Sequence, residues 1–275
     1  MKSIISILWF KRDLRLHDNL ALLSAIKAGF PVLPLYVVEP NYWQQPFSAR
    51  RHWHFIQNCL EELRDDCIAL GQPLVVRKGT VTEVLNHFRD CFQIHGLFSH
   101  EESGNFWTFQ RDKDVRSWCK SHSIRFHEFS SNGVVRNLSS RDDWSKIRCS
   151  RMAEIPLPKP KELLGVRDVD PHEIPSKCDP LFGKTFLGFV QKGGRSIAED
   201  DLSSFLEDRG RQYLKNLSTP NLSDTSCSRL STHLTWGSLS VREVLEAIKK
   251  KLDRLDSDQD RGLRRNISAF RSRLM

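Results

Sequence analysis

The residues best suited to chemistry lie late in the chain, in Ser226-Cys227-Ser228-Arg229-Leu230-Ser231. Hydroxyls and free backbone N–H groups at the start of a helix form an anion site, and the helix dipole favours phosphate there. Arg229 adds a planar fork of donors that matches phosphate oxygens in pairs. Ordinary capping of the helix by Ser accounts for the same residues without a ligand. A second dense block, Lys11, Arg12, Asp13, Arg15, His17 and Asp18, follows the apolar run Ile4 to Phe10. The strand end and helix start of an α/β unit are where ligands and partner domains dock. So many opposite charges at one strand end favour mutual pairing. Arg12, Asp13, Arg15 and Asp18 are therefore expected to be structural and interdomain rather than catalytic.

Both blocks need elements to hold them. Over residues 1–130 the pattern alternates strand and helix. Strands are expected at Ser3–Phe10, Val32–Val38, Leu74–Val76, Leu97–Ser99 and Ile124–Phe129. Helices are expected at Asn19–Ala28, Ala49–Leu70, Val81–Phe92 and Phe106–Ser121. Asp18 or Asn19 can cap the first helix, and Gly71 closes the second. Continuous apolar strands between amphipathic helices predict a parallel sheet covered on both faces. Residues 131–194 carry Pro156, Pro158, Pro160, Pro171, Pro175 and Pro180 and read as an extended connection anchored by Trp144, Ile147, Leu181 and Phe182. From Arg195 to Met275 the spacing is helical, with Leu202, Phe205 and Leu206, then Val241, Leu245, Ile248 and Leu252, then Ile267, Phe270 and Leu274 placed for burial.

Composition narrows the class. At 39% hydrophobic and 28% charged over 275 residues, the chain reads as a soluble globular protein. Ile4 to Phe10 is too short to span a membrane, so no membrane partner is expected. The formal charge of +8 points to an anionic partner, and Arg264, Arg265, Arg271 and Arg273 concentrate it near the C-terminus. Weak, sequence-independent contact with DNA phosphates is the expectation. The seven cysteines are odd in number, scattered and free of any C-x-x-C pair. That argues against a metal site or a disulfide framework and for a reducing, cytoplasmic location.

The wording of the motifs goes further than their physics. W-F-x-R-D-L-R-x-x-D-N, from Trp9 to Asn19, resembles the opening signature of the DNA photolyase/cryptochrome family. The middle stretch from Trp107 to Trp144 is similar to one branch of it. Gly193-Gly194, then Ser228-Arg229-Leu230-Ser231, then Trp236-Gly237-Ser238-Leu239-Ser240-Val241-Arg242 resemble the start of that family's flavin domain. The resemblance implies an α/β class: a Rossmann-like parallel sheet flanked by helices (residues 1–130), a long linker (131–194), and an incomplete all-α FAD-binding domain (195–275). In that family a Tyr and a T-S-x-L-S segment hold FAD, the segment clasping its phosphates. The matching positions are Tyr213, Cys227, Ser228, Arg229, Leu230 and Ser231, with Cys227 where the family often has Thr. The implied activity is that of a deoxyribodipyrimidine photo-lyase, repairing pyrimidine dimers in DNA by light. A cryptochrome-like photoreceptor and an isolated α/β nucleotide-binding domain are the alternatives.

The same resemblance implies roughly two hundred further residues of helical domain. The expectation is a truncated or split member, with a complementary C-terminal polypeptide as its partner. No catalytic residue and no metal ligand can be named on these residues. Phe270 falls near a flavin-packing aromatic of many members, and Arg273 near a Glu that several repair enzymes use. The family's α/β domain often holds a light-harvesting folate or flavin near the domain interface. Its usual Glu is matched by Gln110, with Glu101 and Glu102 earlier, and Trp43, Trp53 and Trp107 are candidates to stack a chromophore whose identity stays open.

Overall fold

Strand β1 (Ile4–Phe10) divides its side chains between two cores. Ile5, Ile7 and Trp9 face one cluster, and Leu8 and Phe10 face another. That is the period-two alternation of a strand covered on both sides. In the computed structural model, which describes residues 2–131, 133–136, 138–184, 188–256 and 258–275, β1 lies at the centre of a five-stranded sheet of order β3-β2-β1-β4-β5. The others are β2 (Val32–Val38), β3 (Val75–Lys78), β4 (Gln93–His100) and β5 (Arg125–Phe129), and every pairing is parallel. The expected class and the strand–helix alternation are both found.

Helices α1 (Leu20–Lys27) and α3 (Arg50–Leu70), with the single turn α2 (Pro40–Trp43) between them, pack Leu22, Ala25, Trp53, Ile56 and Leu60 on the Leu8 and Phe10 face. Helices α4 (Val81–Cys91) and α5 (Phe106–Ser121) pack Leu85, Phe88, Val115 and Trp118 on the other. Local chemistry sets their ends. Asn19 caps α1 by accepting from the Leu22 N–H at 2.8 Å. Thr80 and Glu83 form a reciprocal capping box on α4. Gly71, at φ +110°, ends α3 in the left-handed conformation.

The connection is less extended than its prolines suggest. Trp144–Ala153 is a ten-residue helix, α6. The prolines begin only at Pro156, so the stretch before them is free to wind, and averaging over the whole segment hides it. Trp144 stays 42% exposed, whereas Phe182 is buried against Trp53 in a parallel ring stack at 4.2 Å. The helical region comprises α7 (Arg195–Glu207), the short α8 (Tyr213–Asn216), α9 (Ser223–Ser226) and α10 (Ser231–Trp236), then α11 (Val241–Arg254) and α12 (Arg261–Leu274). Leu202, Phe205, Val244, Ile248, Ile267 and Phe270 form its core. Among the described residues no helix is long and apolar enough to cross a membrane.

The sheet and the helical region meet at the end of β1. Gly237, at φ +72°, closes α10, and a Cβ there would overlap the Arg12 carbonyl and the Asp13 Cα. The Leu14 N–H donates to the Trp236 carbonyl at 3.1 Å, and Arg15 Nη1 donates to the Gly237 carbonyl at 3.1 Å. Arg242 grips Asp18 with Nε at 3.0 Å and Nη2 at 2.6 Å, while the Leu157 N–H donates to the same carboxylate at 3.2 Å. Elsewhere Glu62 of α3 accepts from the Ser196 N–H at 2.8 Å, capping α7 from across the interface. Removing one partner of a buried ion pair strands the other, at a cost of about 3–5 kcal/mol. Asp18→Asn should therefore lower stability by that order in urea unfolding. The double change Asp18→Asn with Arg242→Leu should cost less than Asp18→Asn alone.

Candidate functional site

The Ser-Arg-Leu-Ser turn is held by residues far from it in sequence. Ser226, read as the start of a helix, instead ends α9, and α10 begins only at Ser231. Arg229 explains the break: its φ of +62° is left-handed and interrupts any continuous helix. The N-cap of α10 is Leu230, which supplies no side-chain acceptor, so the first N–H groups of α10 have no cap. With only six residues, α10 has less than two turns of dipole to offer. The phosphate-binding capacity of the turn therefore rests on its individual donors.

The proposed ligands separate into three sets. Cys227, Ser228 and Arg229 are half-buried along the turn, and Ser231 is exposed beside them. Leu230 points inward, 1% exposed, into the helical core. Tyr213 is also buried there, packed edge-on to Phe205 at 5.5 Å and Phe270 at 5.7 Å. Burial pushes its phenol pKa up. Phe270 itself is buried against Phe205 at 4.8 Å. Arg229 directs Nη1 to Asp224 at 2.8 Å, so its guanidinium is partly committed within the turn.

Three residues that the sequence reading passed over brace this turn. Gln191 donates to the Arg229 carbonyl at 2.8 Å and accepts from the Thr232 hydroxyl at 2.9 Å. Arg209 donates to the Cys227 carbonyl and, through Nη2, to the Asp201 carbonyl at 2.7 Å. Asp201 also accepts from Gln191 at 3.1 Å. Asp201 and Arg209 lie among the recurring polar residues of the Gly193–Arg211 block, a pattern shared by any solvated helix, and Gln191 lies just before it.

Behind the turn, His233 Nδ1 lies 2.9 Å from Ser238 Oγ, with Nε2 3.7 Å from Asp201 Oδ2. His233 and Ser238 are both completely buried, so this Ser-His-Asp set gives no access to a substrate and serves packing. Burial pushes the His233 pKa down to about 4, against the opposing pull of Asp201.

The charged block after β1 is an internal network. Lys11 pairs with Asp112 at 3.0 Å, Arg12 with Glu102 at 3.1 Å, and Asp13 with His100 at 2.7 Å. Burial opposes the charge on Asp13 and on Asp18. His100, the Lys11 N–H and Arg15 together outweigh it for Asp13, and Arg242, Ser240 and Arg15 together outweigh it for Asp18, so both carboxyls titrate below their usual range. The expected structural and interdomain placement of Arg12, Asp13, Arg15 and Asp18 matches these contacts. Among the described residues none of the four faces a cleft open enough for a dinucleotide, because the Trp236-Gly237 corner occupies that place.

Comparison with known proteins places the chain among relatives. Residues 6–143 match the sequence profile of the family described as DNA photolyase. Cryptochrome-1 of Arabidopsis thaliana is 28% identical over 272 residues, covering 90% of this chain and 38% of that protein. A deoxyribodipyrimidine photo-lyase of Agrobacterium fabrum is 26% identical over 275 residues, covering 90% and 54%. Among solved structures, a bacterial class III photolyase from Agrobacterium tumefaciens superposes with a TM-score of 0.80 at 22% identity, covering all of this chain and 57% of that one. The chain spans about half the length of the relatives it matches.

The buried imidazole gives the fold a measurable acid sensitivity. The folded pKa of His233 lies below its unfolded value near 6.5, so the unfolded chain takes up the proton first as the pH falls. The resulting stability is complete above pH 6.5 and is lost between 6.5 and 4, by about 3 kcal/mol in all. Asp13 and Asp18 keep their contribution through that window. Glu39, which burial raises to about 7, acts in the opposite direction over the same range, so the test is a difference: in urea titrations at pH 7, 5.5 and 4.5 the wild type should lose more stability on acidification than His233→Gln does.

Proposed function

Because this chain belongs to the DNA photolyase family, we propose that it acts as a flavoprotein whose Cys227–Ser231 turn receives the diphosphate of FAD. The observation that carries the reading is the braced, uncapped turn. Its uncommitted donors are the first N–H groups of α10 and the Ser231 hydroxyl, beside a Ser228 oxygen that accepts from the Leu230 N–H at 3.4 Å. Clustered donors suit a phosphate, and the one carboxylate in the turn, Asp224, is paired with Arg229 at 2.8 Å. Gln191 and Arg209 fix the turn before any ligand arrives, which lowers the ordering cost of binding. Leu230, Tyr213 and Phe270 contribute by anchoring the turn to the helical core. When bound, a reduced flavin would supply a light-absorbing one-electron donor.

DNA bearing pyrimidine dimers is the proposed substrate class. Arg265, Arg271 and Arg273 are exposed on α12 and suit backbone phosphates. Arg264 is used differently: it donates to the Leu252 carbonyl at 2.9 Å and the Leu255 carbonyl at 3.2 Å, closing the C-terminal end of α11. A blue-light photoreceptor without repair is the second reading, favoured by the match to a plant cryptochrome over the same share of the chain.

Equilibrium dialysis against FAD should give saturable one-to-one binding. Gln191→Leu should weaken it about tenfold, the equivalent of one or two lost hydrogen bonds, with the melting temperature little changed. An absence of saturable binding sinks the flavin reading. Filter binding to duplex DNA should weaken about 40-fold between 50 and 200 mM salt for three phosphate contacts. Changing Arg265, Arg271 and Arg273 together to Ala should remove most of that dependence. A preference for dimer-containing duplex favours repair, and equal binding to damaged and undamaged duplex favours the photoreceptor.

A further inference from the structure

Above the carboxyl ends of β2, β1 and β4 lies the crevice where an open parallel sheet of this strand order offers a ligand site. The family resemblance implies a second, light-harvesting chromophore in the α/β domain near the domain interface. A cleft of about 270 Å³ runs outside it along Thr80, Trp107 and Gln110, but between Arg12, Tyr42, Trp43, Arg111 and Trp236 the free space is about 40 Å³. That is room for a few water molecules, whereas ligand pockets run to several hundred Å³.

The crevice is full of the chain's own rings. Trp43 is 7% exposed and stands edge-on to Trp53 at 5.4 Å and to Phe182 at 4.9 Å. Tyr42 stands edge-on to Trp43 at 5.4 Å and to Trp107 at 5.3 Å. Trp236 enters from the helical region, 4.8 Å beneath the Arg12 guanidinium, and Arg12 also donates to the Tyr42 hydroxyl at 3.3 Å.

Its cations are committed as well. Arg111 pairs with Glu102 at 2.6 Å, Asp112 at 2.8 Å and Glu39 at 3.2 Å, and stands 4.9 Å over Trp9. Arg12 pairs with Glu102 at 3.1 Å. A planar, anionic pigment needs ring faces to stack on and cations to answer its charge. In this crevice both are already used internally.

We infer that the crevice is closed by these side chains, takes no light-harvesting chromophore, and serves as the socket that seats Trp236 and Gly237. The inference rests on membership of the family and on the crevice itself, and it stands whether or not FAD binds at the Cys227–Ser231 turn.

The test is dialysis of the purified protein against flavin mononucleotide and, separately, against 5,10-methenyltetrahydrofolate. The wild type should retain neither pigment in the crevice. Trp43→Ala combined with Tyr42→Ala removes an indole from its centre and a phenol from its half-buried rim, and should bind at least one of them tenfold or more tighter than the wild type. Trp43→Val combined with Tyr42→Ala is the second opening variant should the first fail to fold. If the folded variants retain no more pigment than the wild type, these rings are not what closes the crevice, and the assignment falls. One-to-one retention by the wild type that Glu39→Gln or Arg111→Met abolishes also overturns it. Retention that those changes leave intact and Gln191→Leu removes is binding at the turn, and leaves the crevice closed as inferred.

Discussion

A carboxylate shut away from water persists as an anion only if cations and N–H groups are held against it, and Asp18 is such a group. It sits at φ +47°, a left-handed conformation that Asp tolerates better than most residues, immediately before the cap of α1. Its side chain takes two bonds from Arg242 and one from the Leu157 backbone. Its own N–H donates to the Leu157 carbonyl at 2.7 Å, and its carbonyl accepts from Arg15 at 3.1 Å. Three distant segments, the β1–α1 turn, the connection and α11, thus converge on one residue. The helical region is placed relative to the sheet by this convergence, and the braced turn is placed relative to both.

The arrangement explains why the dense charged motif at this strand end is paired internally. A Rossmann-like crevice normally faces solvent and admits a ligand. Here aromatic side chains and the Trp236-Gly237 corner occupy it, so the polar groups around it must satisfy one another or be left unpaired at a cost. Lys11, Arg12, Asp13 and Arg15 do so through Asp112, Glu102, His100 and the Gly237 carbonyl. An isolated α/β nucleotide-binding domain would leave Arg15 and Asp18 facing solvent, which makes that alternative a poor fit to the geometry.

The sheet was legible in the sequence because its signals are local. Short apolar runs, punctuated by the Asp18-Asn19 cap and by Gly71, carry strand and helix ends within a few residues of one another. β3 and β4 were placed a few residues off, since strand edges depend on pairing rather than on composition. Helix α6 was missed because the prolines that follow it dominated the segment. The turn was misread at Ser226 because hydroxyl residues announce a cap without saying which end of which helix they serve. Its bracing by Gln191, Arg209 and Asp201 was invisible for a different reason: those contacts are made by polar side chains up to 41 positions from the groups they hold, and no local pattern encodes them.

The corner at Gly237 is built almost wholly from backbone atoms. Arg15 and Gly237 are 222 positions apart. The surface that receives the corner exists only after β1 has been flanked by β2 and by β4, a strand that ends at His100. Synthesis from the ribosome is vectorial, and domains tend to fold as they emerge. The sheet can therefore be complete while α10 and α11 are still being made. The helical region then arrives at a finished template, and the long-range contacts that fix the molecule's shape are the last to form.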